Sequence, residues 1–212
     1  YGSFNEIFES QIIQKGKMTN NEYATELLSF INHPDMQEAY DSVLLVFSDL
    51  KEIQNELDLA FTQFHNDFPT YPIPEITTFF GGFNYGVITY DENIAIGLEN
   101  FLGKESKYYK LLGDPEYLRF QKQKKYITPN VMEVWFNEYF KQYLRGRDFL
   151  SELLYKGKVM FFIDQMLPNM LLEDKLRFSK SEMEWVIQNE MNIWSYFIEN
   201  DLLYSSYQQD FR

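Results

Sequence analysis

The stretch Asn130–Phe140, NVMEVWFNEYF, sets one carboxylate, Glu133, among apolar neighbours at helical spacing. Zinc hydrolases carry their working glutamate on such a helix between two histidines, in the pattern H-E-x-x-H. Residues four apart share a helix face, so both imidazoles can reach one ion. Here the two flanking positions hold Met132 and Phe136. At about 100° per residue, Asn137, Glu138 and Lys141 form a polar arc, and Met132, Trp135, Phe136, Tyr139 and Phe140 cover the rest. Glu133 stands at the edge of that arc. By itself this is a boundary carboxylate on an amphipathic helix, and only residues from elsewhere could turn it into a site.

The rest of the chain offers little to complete one. A catalytic zinc takes three protein ligands, yet the only histidines are His33 and His65, in separate N-terminal segments, and cysteine is absent. Both histidines read as surface or cap residues, and no metal or other cofactor is expected. Asp91, Glu92 and Asn93 could be imagined around calcium, but the twelve-residue loop spacing is missing, which leaves a solvated turn. Gly81, Gly82 and Gly86 lack the Lys-Ser/Thr ending of a phosphate-binding loop. No G-x-S-x-G occurs, and no histidine is placed to activate a serine. The aromatic stripe Trp185, Trp194, Tyr196 and Phe197 is read most simply as core, with an exposed part available for a protein contact.

The elements that would hold these residues follow from punctuation and period. Residues 1–68 read as helices throughout. Thr19 and Glu22 form a capping box ahead of Leu27, Leu28 and Ile31, and Pro34 suits the first turn of a helix running towards Phe47. Leu50, Ile53, Leu57, Phe61 and Phe64 recur at helical spacing up to DFPTYPIP, whose prolines force an extended link. After Pro74 the composition turns β-branched and aromatic, and strands are expected near 75–80, 85–90 and 93–98, joined as a small antiparallel sheet through a DEN turn. Helices return at 105–111 and 115–122. A helix over 128–144 has Thr128 as cap and Pro129 in its first turn, another spans 148–166, and Ser179 with Glu182 makes a second capping box for a helix over 180–199. The fold class is thus α+β, mostly helical, in one domain covering 1–212.

Composition supports a packed core, with 45% hydrophobic and 18% aromatic residues. No apolar run approaches the roughly 18 residues of a membrane-crossing helix, and the opening residues carry no basic-then-apolar secretion segment. Without cysteine there is no disulfide, thiolate site or cysteine nucleophile within these residues. The net charge of −13 is uneven: residues 1–106 hold 17 acids and four bases, whereas residues 107–212 hold 15 of each. An acidic half of this kind repels nucleic acid. It reads as solvated helix faces, or as a docking surface for a basic partner.

Six stretches carry a family resemblance, in order, over residues 73–205: FNYGVITYDENIAIGLENFLG, YYKLL, PEYLR, YITPNVMEVW, KGKVMFFIDQMLP and EMEWVIQNEMNIWSYFIENDLLYSS. They resemble the gliding-motility-associated lipoprotein family GldB of Bacteroidetes. That family is itself similar to predicted zinc-dependent peptidases bearing H-E-x-x-H, so the resemblance implies a zincin-like scaffold. It places the histidine positions at Met132 and Phe136, keeps the glutamate as Glu133, and puts the peptidases' later glutamate ligand at Lys156. All three metal positions depart from the pattern.

What the resemblance implies is a non-enzymatic protein of the cell envelope, periplasm-facing, tethered to the membrane by an acylated cysteine ahead of Tyr1. Its partners would be envelope proteins, and its role the support of gliding and of the protein secretion linked to it. Two other readings stand beside this one. One is a hydrolase using Glu133. The other is a module holding a peptide in the groove between the sheet and helix 130–144, by strand addition along 93–98.

Overall fold

The computed structural model describes residues 2–14, 22–143 and 146–206. The chain divides into two compact units, Tyr1–Val134 and Trp135–Arg212.

The first unit opens with α1 (Gly2–Ile7), which runs into a π-helical turn, Phe8–Ile12. Helices α2 (Tyr23–Ile31), α3 (Pro34–Val46) and α4 (Lys51–Asp67) follow. Pro34 occupies the first turn of α3, as its missing N–H allows, and His33 caps that helix by accepting the N–H of Asp35 on Nδ1. His65 lies exposed in the last turn of α4. The expected capping box pairs Thr19 with Glu22. Thr19 lies outside the described residues, and Glu22 stands at the N-cap of α2 rather than three residues inside it, making no side-chain cap bond.

Strands β1 (Ile76–Phe79), β2 (Val87–Tyr90) and β3 (Asn93–Gly97) form one sheet in the order β1-β3-β2. The sheet is mixed, not antiparallel: β2 pairs antiparallel with β3, but β1 pairs parallel with it. The β2–β3 link is a two-residue turn with Asp91 and Glu92 both at positive φ, 41° and 61°. Two positive φ values in a row give the backbone twist that matches a tight hairpin. The link from β1 to β2 covers seven residues and leaves one strand width open between them. Strand β3, returning from the hairpin, fills that gap alongside β1. Because β3 is central and hydrogen-bonded on both edges, the expected strand addition along 93–98 has no free edge there.

Pairing sorts the side chains onto two faces. Ile76, Thr78, Ile94, Ile96 and Leu98 look towards Ile53, Leu57 and Phe61 of α4. Phe79 and Ala95 on the other face join Phe4, Ile12 and Ile13 in one buried cluster, with Ile88 and Tyr90 packed against it. A sheet covered on both faces explains why β3 reads as an apolar run rather than an alternating one. At its end Gly97 is obligatory: a Cβ there would run into the carbonyl oxygen of Tyr85. Two short helices, α5 (Lys107–Leu111) and α6 (Glu116–Gln121), lead to α7 (Ile127–Phe140), which crosses from the first unit into the second.

Helix α7 begins one residue before Thr128 and ends at Phe140, short of 144. Thr128 is therefore not its cap. Its hydroxyl instead donates to Glu56 of α4 at 2.7 Å, a partner 72 positions away that no local pattern reveals. In the second unit, α8 (Phe149–Met166) is capped by Asp148 and buries Tyr155, Val159, Phe162, Ile163 and Met166. A short α9 (Leu172–Leu176) brings Lys175 to Asp164 of α8 at 2.7 Å. Helix α10 (Lys180–Glu199) starts on the complete capping box of Ser179 and Glu182. The chain beyond it returns to α8, where Leu150 and Phe149 donate to the carbonyls of Leu203 and Ser205.

Candidate functional site

The positions singled out on α7 differ in burial. Met132 is fully buried, Glu133 half-buried, and Phe136 half-buried rather than core. Phe136 packs against Phe140 and Phe162 at 4.8 Å between ring centroids, and against Tyr155 at 6.0 Å. Lys156 is exposed on α8. Asn137, on the polar arc, accepts the Tyr155 hydroxyl at 2.8 Å. Among the described residues no three His, Asp or Glu side chains lie together as a metal would need. Asn93, in the turn considered for calcium, spends its side chain locally: it accepts the Glu75 N–H and donates to the Asp91 carbonyl.

One strongly perturbed group is a buried carboxylate that no spacing in the sequence singled out. Past the end of β3 the chain makes a 3-10 turn, Leu98–Phe101, and Glu99 on it is 0% exposed. Its Oε1 accepts the N–H of Gly81 at 2.7 Å and of Phe83 at 3.2 Å. Both donors belong to the loop after β1, which Gly82 and Phe83 bend through positive φ of 71° each. Oε2 meets no hydrogen-bond partner among the described residues. The backbone carbonyl of Glu99 accepts the Tyr109 hydroxyl at 2.8 Å, and the Tyr109 hydroxyl oxygen in turn accepts the Leu102 N–H. Lys122 lies 4.6 Å over the Tyr109 ring and pairs with Asp114 at 2.6 Å.

Burial raises the Glu99 carboxyl from its ordinary 4.5 to about 7, against the pull of the Gly81 and Phe83 N–H groups and of Lys122. Burial likewise pushes the Tyr109 phenol well up. A general base must reach the proton it takes, and Glu99 is sealed. What the arrangement can do is clamp a loop through a carboxyl that changes protonation near neutral pH. The signal for it was in the sequence. Glu99 is the one charged residue between Ile94 and Leu102, and a charge within such an apolar run is buried only when bonded.

The aromatic stripe on α10 is not core. The helix has no buried residue, and Trp185, Trp194 and Tyr196 are exposed. Only Phe197 turns inward, edge-on to Phe149 at 5.0 Å. Two flanks of this helix carry apolar groups, so an apolar residue on it does not by itself mark the packed side.

Comparison with known proteins gives one match. The family model described as "Gliding motility protein GldB" covers residues 1–212, including the helices before Asp67 that the sequence stretches left out. No curated protein and no solved structure matches the chain.

Proposed function

This chain belongs to the GldB family of gliding-motility lipoproteins, and from that premise we propose that it is a non-enzymatic envelope component that works through protein contacts. It faces the periplasm from a lipid anchor ahead of Tyr1 and supports gliding together with the secretion of surface proteins. Its scaffold is a zincin-like one that has lost its metal. A sheet precedes a helix that keeps the glutamate, Glu133, between the two histidine positions.

The observation that carries the reading is what fills those positions. Met132 is wholly buried, and Phe136 is packed among Phe140, Tyr155 and Phe162. Neither a thioether in the interior nor a phenyl ring supplies the imidazole nitrogen that such a zinc site uses. Without a metal to lower the pKa of water, Glu133 has no activated nucleophile to deprotonate. Lys156 adds a cation where the peptidases place an anionic ligand.

The test is elemental analysis of protein purified without chelator, alongside a peptide-hydrolysis assay. The expected result is no stoichiometric zinc and no cleavage. Stoichiometric zinc with cleavage abolished by Glu133→Gln would establish the hydrolase instead.

A further inference from the structure

Helices α2 and α3 border a groove of ≈ 500 Å³ whose lining includes Leu27, Phe30 and Ile31 from α2, Met36 and Tyr40 from α3, and Phe80. It is apolar apart from Gln37 and Asp41. The α3 wall continues past the groove, since Met36, Tyr40 and Leu44 recur at four-residue spacing and Tyr40 and Leu44 are about half exposed. That stripe spans nine residues, a rise of roughly 12 Å from first to last. It is the length over which an amphipathic helix presents anchors at i, i+4 and i+7.

Among the described residues, the segment that carries α2 and α3 is charged with one sign. Residues 22–46 hold five carboxylates, Glu22, Glu26, Asp35, Glu38 and Asp41, and no lysine or arginine. Among the described residues Lys107 approaches from elsewhere and pairs with Glu38. This charge decides among occupants. A second copy docking through this same face would bring the same negative surface and be repelled. An anionic lipid surface would be repelled in the same way.

We propose that the α2–α3 groove docks a basic amphipathic helix of a partner protein, with apolar anchors against Phe30, Met36 and Tyr40 and lysines or arginines facing Asp41 and its neighbours. This deepens the contact-based function and rests on it. Affinity comes from the filled groove, and the carboxylates set which partners approach and how fast.

The test uses the full chain and two fluorescent model peptides of helical period, one of leucine and lysine, the other of leucine and glutamate, followed by anisotropy. The Leu/Lys peptide binds and the Leu/Glu peptide does not. Binding weakens at least tenfold between about 50 and 500 mM salt, as screening of exposed charges requires. Tyr40→Glu lowers affinity at least tenfold. Leu45→Glu adds the same charge on the same helix, at an 81% exposed residue outside the groove lining, and leaves affinity within twofold. Equal losses in the two variants, or no loss in either, overturn the groove as the site. Equal binding of both peptides overturns the charge argument. Sedimentation showing a dimer that Tyr40→Glu disperses assigns the groove to a second copy and also overturns the proposal. Any of these leaves the contact-based reading standing, because that reading fails on zinc and hydrolysis.

Discussion

Helices α4 and α10 are the same kind of object locally and opposite kinds globally. Each is a long run of good helix formers mixed with apolar residues, 17 and 20 residues respectively. Helix α4 buries Ile53, Leu57, Ala60, Phe61 and Phe64 on one stripe, and the sheet face of Ile76, Ile94 and Ile96 lies against it. Helix α10 has the better start, a complete capping box, yet buries no residue and leaves Ile187, Met191 and Trp194 in solvent. Caps and propensity decide whether a helix forms and where it begins. They contribute on the order of 1 kcal/mol each. Which face is enclosed is decided by what packs on it, and that is a property of distant residues.

The largest effect expected from this contrast is at the enclosed side. Phe64 is 0% exposed and stacks on Phe68 at 5.2 Å. Phe64→Ala should cost about 3–5 kcal/mol through lost burial and the cavity left behind. Denaturant unfolding measures it, and a cost below about 1 kcal/mol would mean that α4 is not closed against the core.

How much of this was readable beforehand differs by element. Pro34, the three-proline link and the Ser179–Glu182 box fixed helix ends from a few adjacent residues, because their causes are local. The three strands were placed within a residue or two for the same reason. Their order was not, since each strand pattern fits either an antiparallel meander or a mixed sheet, and only the β1–β2 gap decides. Thr128 failed as a cap because its hydroxyl had a better partner in Glu56, far away in sequence. At the site, the search for a familiar spacing led to Glu133 and past Glu99. The spacing of Glu133 matched a known chemistry, whereas Glu99 differs only in having no polar neighbour nearby to share its run except Asn100.

Glu99 gives the next effect, and it sharpens the enclosed side by pH. Its carboxyl titrates at about 7 in the fold against 4.5 ordinarily, so the folded state holds the proton more tightly than the unfolded one. The stability it contributes is complete below about pH 4.5 and is lost as pH rises through 7. At 1.36 kcal/mol per unit the loss is about 3 kcal/mol. Glu99→Gln keeps an acceptor for the Gly81 and Phe83 N–H groups but cannot ionise. Unfolding free energies at pH 5 and pH 8 should therefore fall more for the native chain than for the variant, by about that amount. Parallel pH curves for the two proteins would rule out a titrating Glu99.

A smaller effect is expected at the start of α10. Ser179→Ala removes the acceptor for the Glu182 N–H and opens the capping box. The cost should be about 1 kcal/mol. On a helix that buries nothing, it should appear first as faster hydrogen exchange over residues 180–184. Unchanged exchange in that turn would show that the box does not hold the helix end.

The smallest effect separates α10 from α4 most sharply. Met191 is 83% exposed, so truncating it removes almost no buried surface, while alanine is a somewhat better helix former than methionine. The two terms nearly cancel, and Met191→Ala should leave stability within about 0.5 kcal/mol of the native chain. The same change of side-chain size in a closed core would cost about 2–5 kcal/mol, so the measurement discriminates cleanly. A loss of 2 kcal/mol or more would mean that the outer face of α10 is covered in solution. Repeating the unfolding at tenfold dilution would then identify the cover, since stability supplied by a second copy falls with protein concentration. Packing by the chain itself does not.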